Sequence, residues 1–164
     1  MARSTDLVTP WPLSYYERWH RYAKEPVGLL TEEAARKLDA AAEPYTVVIG
    51  GPDRPYGFIE VSGDCYGVSF LDERGREYLM YTFEESGNGR VFLKEATHRD
   101  YEGDSDTVSK ATIYRFWTDG RVMIERAEQP FKQTNVSESR TDVSRNWETK
   151  PTFGRYDQLL GKDR

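Results

Sequence analysis

The sequence predicts an α+β fold, with two N-terminal helices packed on one face of an antiparallel meander of about six or seven strands. Three observations predict it. Hydrophobic spacing is helical before Pro44 and alternates from Tyr45 onward. The alternating runs are separated by short turn sequences, which join antiparallel neighbours. Helical and strand patterns are segregated along the chain, as in α+β rather than α/β proteins. The 164 residues then make one domain. Residues 1–12 read as a flexible arm, 13–44 as helical, 45–150 as sheet and 151–164 as a docking segment.

Each element has a local reason. Ser14 and Glu17 have capping-box spacing, and Tyr15, Trp19, Tyr22 and Ala23 fall on one face of a helix that Pro26 and Gly28 end. Thr31 is suited to cap a second helix whose first turn carries Glu32 and Glu33, with Ala34, Ala35, Leu38 and Ala42 as its apolar stripe. Strands are expected over 45–49, 56–61, 66–71, 77–83, 90–96, 110–118 and 121–127. Turn sequences lie between them at Gly50-Gly51-Pro52, Asp72 to Gly75, Ser86 to Gly89 and Asp119-Gly120, the last being the strongest hairpin signal. After Pro130 the pattern weakens. Residues 131–136 and 141–147 read as edge strands, and 156–160 as a final short helix or docking segment.

Composition narrows the function. A net charge of -5 disfavours general nucleic-acid binding. One cysteine excludes a disulfide scaffold within the chain. No apolar run reaches the length of a membrane span. No signal-type apolar stretch follows Arg3, and Ala2 stands where myristoylation needs glycine, so the expected location is the cytoplasm.

Candidate chemistry is sparse. Asp64-Cys65-Tyr66-Gly67 is similar to an Asp-Cys-Ser-Gly stretch of papain-like cell-wall peptidases, with His98 and Asp100 as the partners a triad needs. There, however, the cysteine opens a helix, whereas Cys65 opens a strand pattern; a free structural cysteine is the simpler reading. His20 and His98 lack metal-ligand spacing, and no metal or other cofactor is expected. The Gly50-Gly51 and Gly87-Asn88-Gly89 segments read as turns, because neither opens a helix as a phosphate cradle must.

The most distinctive segment alternates Asp100, Glu102, Asp104 and Asp106 with Tyr101, Gly103 and Ser105. It fails the calcium-loop pattern, since Ser105 and Ala111 stand where glycine and glutamate are required. A solvated loop is the plain reading; a negative patch for a basic protein partner is the functional one. Glu84, Glu85 and Glu95 are candidates to extend that patch. Trp117, with the arginines of the later strands, is a candidate anchor, because aromatic and arginine side chains anchor protein contacts.

The stretch from Asp142 to Glu148 (Asp-Val-Ser-Arg-Asn-Trp-Glu), Pro151 to Tyr156 (Pro-Thr-Phe-Gly-Arg-Tyr) and Thr118 to Val122 on its hairpin resemble small bacterial immunity proteins of polymorphic toxin systems. The likeness covers about the last third of the chain. It implies a non-enzymatic inhibitor that binds a cognate toxin domain, often a nuclease or other cytosol-active enzyme; the charge and hydropathy already disfavour a nucleic-acid or membrane partner. The expected contact residues are Asp100, Tyr101, Glu102, Asp104, Asp106, Glu84, Glu85 and Trp117. The alternative is a small enzyme or ligand-binding protein whose strands form a cup lined by residues such as Tyr78, Met80, Tyr114 and Phe116. A third reading is an assembly protein of a phage or secretion system.

Overall fold

A computed structural model describes residues 11–164. The arm expected over 1–12 lies outside the described residues except for Trp11 and Pro12, and Trp11 stacks on Tyr56 with ring centroids 4.9 Å apart. The elements are β1 (Leu13–His20), β2 (Glu25–Leu30), α1 (Glu32–Ala40), β3 (Tyr45–Gly51), β4 (Arg54–Ser62), β5 (Cys65–Leu71), β6 (Glu77–Glu85), β7 (Arg90–Tyr101), β8 (Val108–Phe116), β9 (Arg121–Glu128), β10 (Thr134–Arg140) and β11 (Trp147–Thr149). All eleven strands join one antiparallel sheet in the order β10-β9-β8-β7-β6-β5-β4-β3-β1-β2, with β11 added beside β7.

This corrects the expected fold class. The described chain has one α-helix instead of two, and eleven strands instead of six or seven. The segment expected as the first helix is β1, hydrogen-bonded between β2 and β3. Its tyrosines and tryptophan fit a pleated surface, but Tyr15 joins the main core and Trp19 the smaller cluster on the other face, so the four-residue interval that mimics a helical face is not one face of the strand. Pro26 and Gly28, expected to end a helix, lie inside β2. Gly28 sits there at φ +77°, where a Cβ would also meet the Glu17 side chain at 2.6 Å.

The second expected helix is α1. The Thr31 hydroxyl accepts the Ala34 amide at 3.1 Å, and Glu32–Arg36 and Glu33–Lys37 ion pairs run along its outer face. After Pro130 the edge strand is β10 over Thr134–Arg140. Residues 141–147 form a link, a 3-10 turn at Ser144–Asn146 and the start of β11. The expected final helix is a 3-10 turn at Asp157–Leu159.

The sheet curls, and its concave side holds the main core. Tyr15, Tyr45, Val47, Ile59, Val68, Phe70, Tyr81, Phe83 and Leu93 point there. Two pieces plug that side over the first half of the sheet. The buried Ala35 presses α1 against it, and the C-terminal segment inserts Phe153, Tyr156 and Leu159. Phe153 stacks on Tyr15 at 5.1 Å. The Tyr156 hydroxyl meets the Tyr45 hydroxyl at 2.9 Å, and Tyr45 donates to Asp39 of α1 at 2.8 Å. A smaller cluster on the convex side stacks Trp19 on Phe58 at 4.5 Å, with Val48 and Leu71. No helix among the described residues is long and apolar enough to cross a membrane.

Candidate ligand-binding cup

The last residues of the plug reach β6, where the Tyr81 hydroxyl donates to the Lys162 carbonyl at 3.2 Å and the Arg164 guanidinium lies over the Tyr81 and Phe83 rings. Over β6 to β10 the concave face is left as an open cup of about 560 Å³. Strand alternation and register place its floor. Tyr81 of β6 faces Ala96 of β7, Ala96 faces Tyr114 of β8, and Tyr114 faces Ile124 of β9. Leu79, Leu93, Phe116 and Val122 complete an apolar surface, on which the Tyr114 and Phe116 rings lie nearly parallel. Every second residue of these strands contributes, because side chains alternate between faces.

Polar groups rim the cup at both ends, and most are already engaged. At the end nearer the C-terminal segment, Asn146 donates to the Leu93 carbonyl at 3.0 Å, and Asp142 accepts the Ser144 amide at 2.9 Å. Arg140 donates to the Asp119 carbonyl at 3.1 Å. The largely buried Arg164 guanidinium donates to the carbonyls of Gly161, Arg145 and Gln158 and pairs with Glu148 at 2.9 Å. At the other end the register aligns His98, Thr112, Arg126 and Asn135 in one row across β7 to β10.

Of the residues expected to line a cup, Tyr114 and Phe116 do so. Tyr78 is instead drawn to Lys162, whose ammonium also lies over the Tyr56 and Phe70 rings. Met80 faces Ser69 and Thr97 in the sheet register, on the opposite side from its neighbours Leu79 and Tyr81.

The residues expected to bind a partner do not form one patch. Asp100 and Tyr101 end β7, and Glu102, Asp104 and Asp106 follow in the loop to β8. Much of that negative charge is answered within the chain. Lys24 meets Asp106 at 2.6 Å, and Arg74 meets Asp104 at 2.8 Å. Arg76 donates to the carbonyls of Gly103 and Ser105 and lies over the Tyr101 ring. Glu84 and Glu85 sit at the far end of β6, about 25 Å along the strand from Glu77. There Lys94 holds Glu84, and Lys150 joins Glu85 to Asp64. These two carboxylates are the first causes holding the Lys150 ammonium above the usual lysine range. Trp117 lies at that same far end, beneath the Arg121 guanidinium, and Glu95, midway along β7, pairs with Arg115 at 3.2 Å.

The catalytic triad that Cys65 would need is not assembled. Cys65 faces Glu84 at one end of the sheet, and His98 faces Leu79 toward the other. His20 accepts the Ala23 amide through Nδ1 at 3.0 Å. Among the described residues no three His, Cys, Asp or Glu side chains converge as metal ligands.

The sequence marks parts of β6 to β9 as strands and Arg126 as one of the surface anchors, but does not mark Leu79, Leu93, Ala96, Val122 or Ile124 as site residues. Alternation along each strand was the available signal. Which alternate set faces inward depends on where the plug lies, and that is a long-range property. Comparison of the chain with protein-family models, curated proteins and solved structures finds no match.

Proposed function

We propose that this is a small-molecule binding protein that holds one largely apolar ligand in the cup between β6 and β10. The floor of Leu79, Tyr114, Phe116 and Ile124, apolar side chains that remain only partly buried, carries the reading. Its volume lies within the range of about 300–1,000 Å³ occupied by small-ligand sites, which pair apolar walls with a few placed polar groups. Each ligand methylene taken from water into such a site contributes about 0.8 kcal/mol. The role is binding, without a bond made or broken.

Titration with a neutral, environment-sensitive naphthylamine fluorophore tests this. The expected result is saturable enhancement with one site per chain, lost in Ile124→Glu, which places a carboxylate on the floor. Unsaturable binding, or equal binding by a folded Ile124→Glu variant, overturns the proposal.

Inhibition of a protein partner, as the immunity-protein resemblance implies, stands second. What supports it is the outer edge of the sheet. β10 is exposed along all seven residues, with Val136 bare on it and Phe131 bare just before it, which suits strand addition by another protein. The acidic loop supports it less, because Asp104 and Asp106 already face Arg74 and Lys24. Co-purification with a toxin encoded beside it would favour this second reading.

A further inference from the structure

Resting on the cup reading, we propose that the ligand is a single-chain amphiphile with a carboxylate head, seated between Arg126 and His98 at the β7–β9 rim. The register makes the case. Thr112 faces His98 on one side and Arg126 on the other, and Arg126 also faces Asn135. Two residues further along the same strands, about 7 Å away, lies the apolar row of Ala96, Tyr114 and Ile124. The row adjoining the floor thus contains hydrogen-bond donors and no carboxylate. Thr112 is small and buried between its two longer neighbours, so a head group fits above it with its chain running down the floor.

Within this row of described residues Arg126 is the free cation. Arg164 spends its guanidinium on backbone carbonyls and Glu148, and Arg140 reaches Asp119. Lys110 faces Asp100 in register and lies 3.6 Å from Glu128, so the acids of the outermost row have a cation of their own. Asp100 is also 3.9 Å from His98 Nδ1, beyond a hydrogen bond. Arg126 is exposed, has no ion pair and no side-chain hydrogen bond among the described residues, and sits two residues along β9 from the cup residue Ile124, on the same face. A guanidinium in that position offers a fork of donors matched to a carboxylate.

Competition against the bound neutral fluorophore tests the assignment. A straight-chain fatty acid and its methyl ester are compared, both below their micelle concentrations. The acid should displace the fluorophore at about tenfold lower concentration than the ester. Arg126→Gln should erase that preference by weakening the acid alone, leaving the ester and fluorophore unchanged, and Arg126→Lys should restore part of it. Equal displacement by acid and ester, or an acid preference that survives Arg126→Gln, overturns the head-group assignment and leaves the cup reading standing. Failure of the fluorophore itself to bind overturns both.

Discussion

The hydroxyls of Tyr45 and Tyr156 stand 2.9 Å apart in the core, although 111 positions separate them in sequence. Tyr45 gives its proton to Asp39 at 2.8 Å, so Tyr156 is the donor to Tyr45. The chain Tyr156–Tyr45–Asp39 ties the C-terminal segment to β3 and α1, and so fixes how far the plug extends across the concave face.

Removing its two hydroxyls should have unequal effects. Tyr156→Phe leaves the Tyr45 oxygen still bonded to Asp39 and should cost about 1 kcal/mol. Tyr45→Phe strands the buried Tyr156 donor and should cost about 2–3 kcal/mol. Urea unfolding of the two variants against the parent measures the difference; equal losses would contradict the assigned donor order.

The same pair sets a prediction for alkaline pH. Burial pushes the Tyr156 phenol up to about 12, and burial followed by the hydrogen bond with Tyr156 raises Tyr45 further. A phenol whose folded pKa exceeds its unfolded value favours the native state below the unfolded pKa, and that contribution is lost as pH rises through the folded one. Stability should therefore fall between about pH 10 and 12, with roughly 2–3 kcal/mol of the fall attributable to Tyr156. Tyr156→Phe should show a shallower decline in urea midpoint over that interval. At the acid end Asp72 behaves oppositely. Its partial burial would raise the carboxyl, but hydrogen bonds from Arg76 and the Arg74 amide hold it below the usual range. Its contribution is present above the unfolded pKa and lost as pH falls through the folded value.

Leu159 tests the plug by packing. It is fully buried among core residues of the concave face. Leu159→Ala should cost about 2–5 kcal/mol through lost burial and a residual cavity. Val136→Thr, on the exposed edge strand, should change stability by less than about 0.5 kcal/mol. Thermal and urea unfolding of both check the contrast.

The acidic loop should depend on Arg76 rather than on its own ion pairs. Arg76 is largely buried, bonds Asp72 at 2.8 Å and holds two loop carbonyls. Arg76→Ala should lower stability by about 2 kcal/mol and speed amide exchange over 102–107. Asp104→Asn breaks only an exposed pair with Arg74 and should cost at most about 1 kcal/mol.

Much of the sheet was legible from local sequence. Alternation and turn residues located β3 to β6, β8 and β9 to within two positions, while β7, expected to end at Ala96, runs on to Tyr101 and takes in the first two residues of the acidic segment; the Thr31 cap located α1. β1 was not legible, because Tyr15 and Trp19 have helical spacing yet pack on opposite faces of the sheet, and its pairing with β3 is made thirty or so residues away. Nor was the cup. Tyr114 and Phe116 could be assigned to one face of β8, but a covered and an uncovered concave face have the same strand pattern. The difference is made by where Phe153, Tyr156 and Leu159 dock. The charge pattern of the acidic loop was legible too, whereas its neutralisation by Lys24 and Arg74, from distant turns, was not.

The most direct test of the cup is a map of amide and methyl shifts in the labelled protein as the neutral fluorophore is added. The account predicts saturating shifts concentrated at Leu79, Ala96, Tyr114, Phe116, Val122 and Ile124, with β1 to β4 unmoved. Shifts centred elsewhere, or scattered and non-saturating, would contradict it.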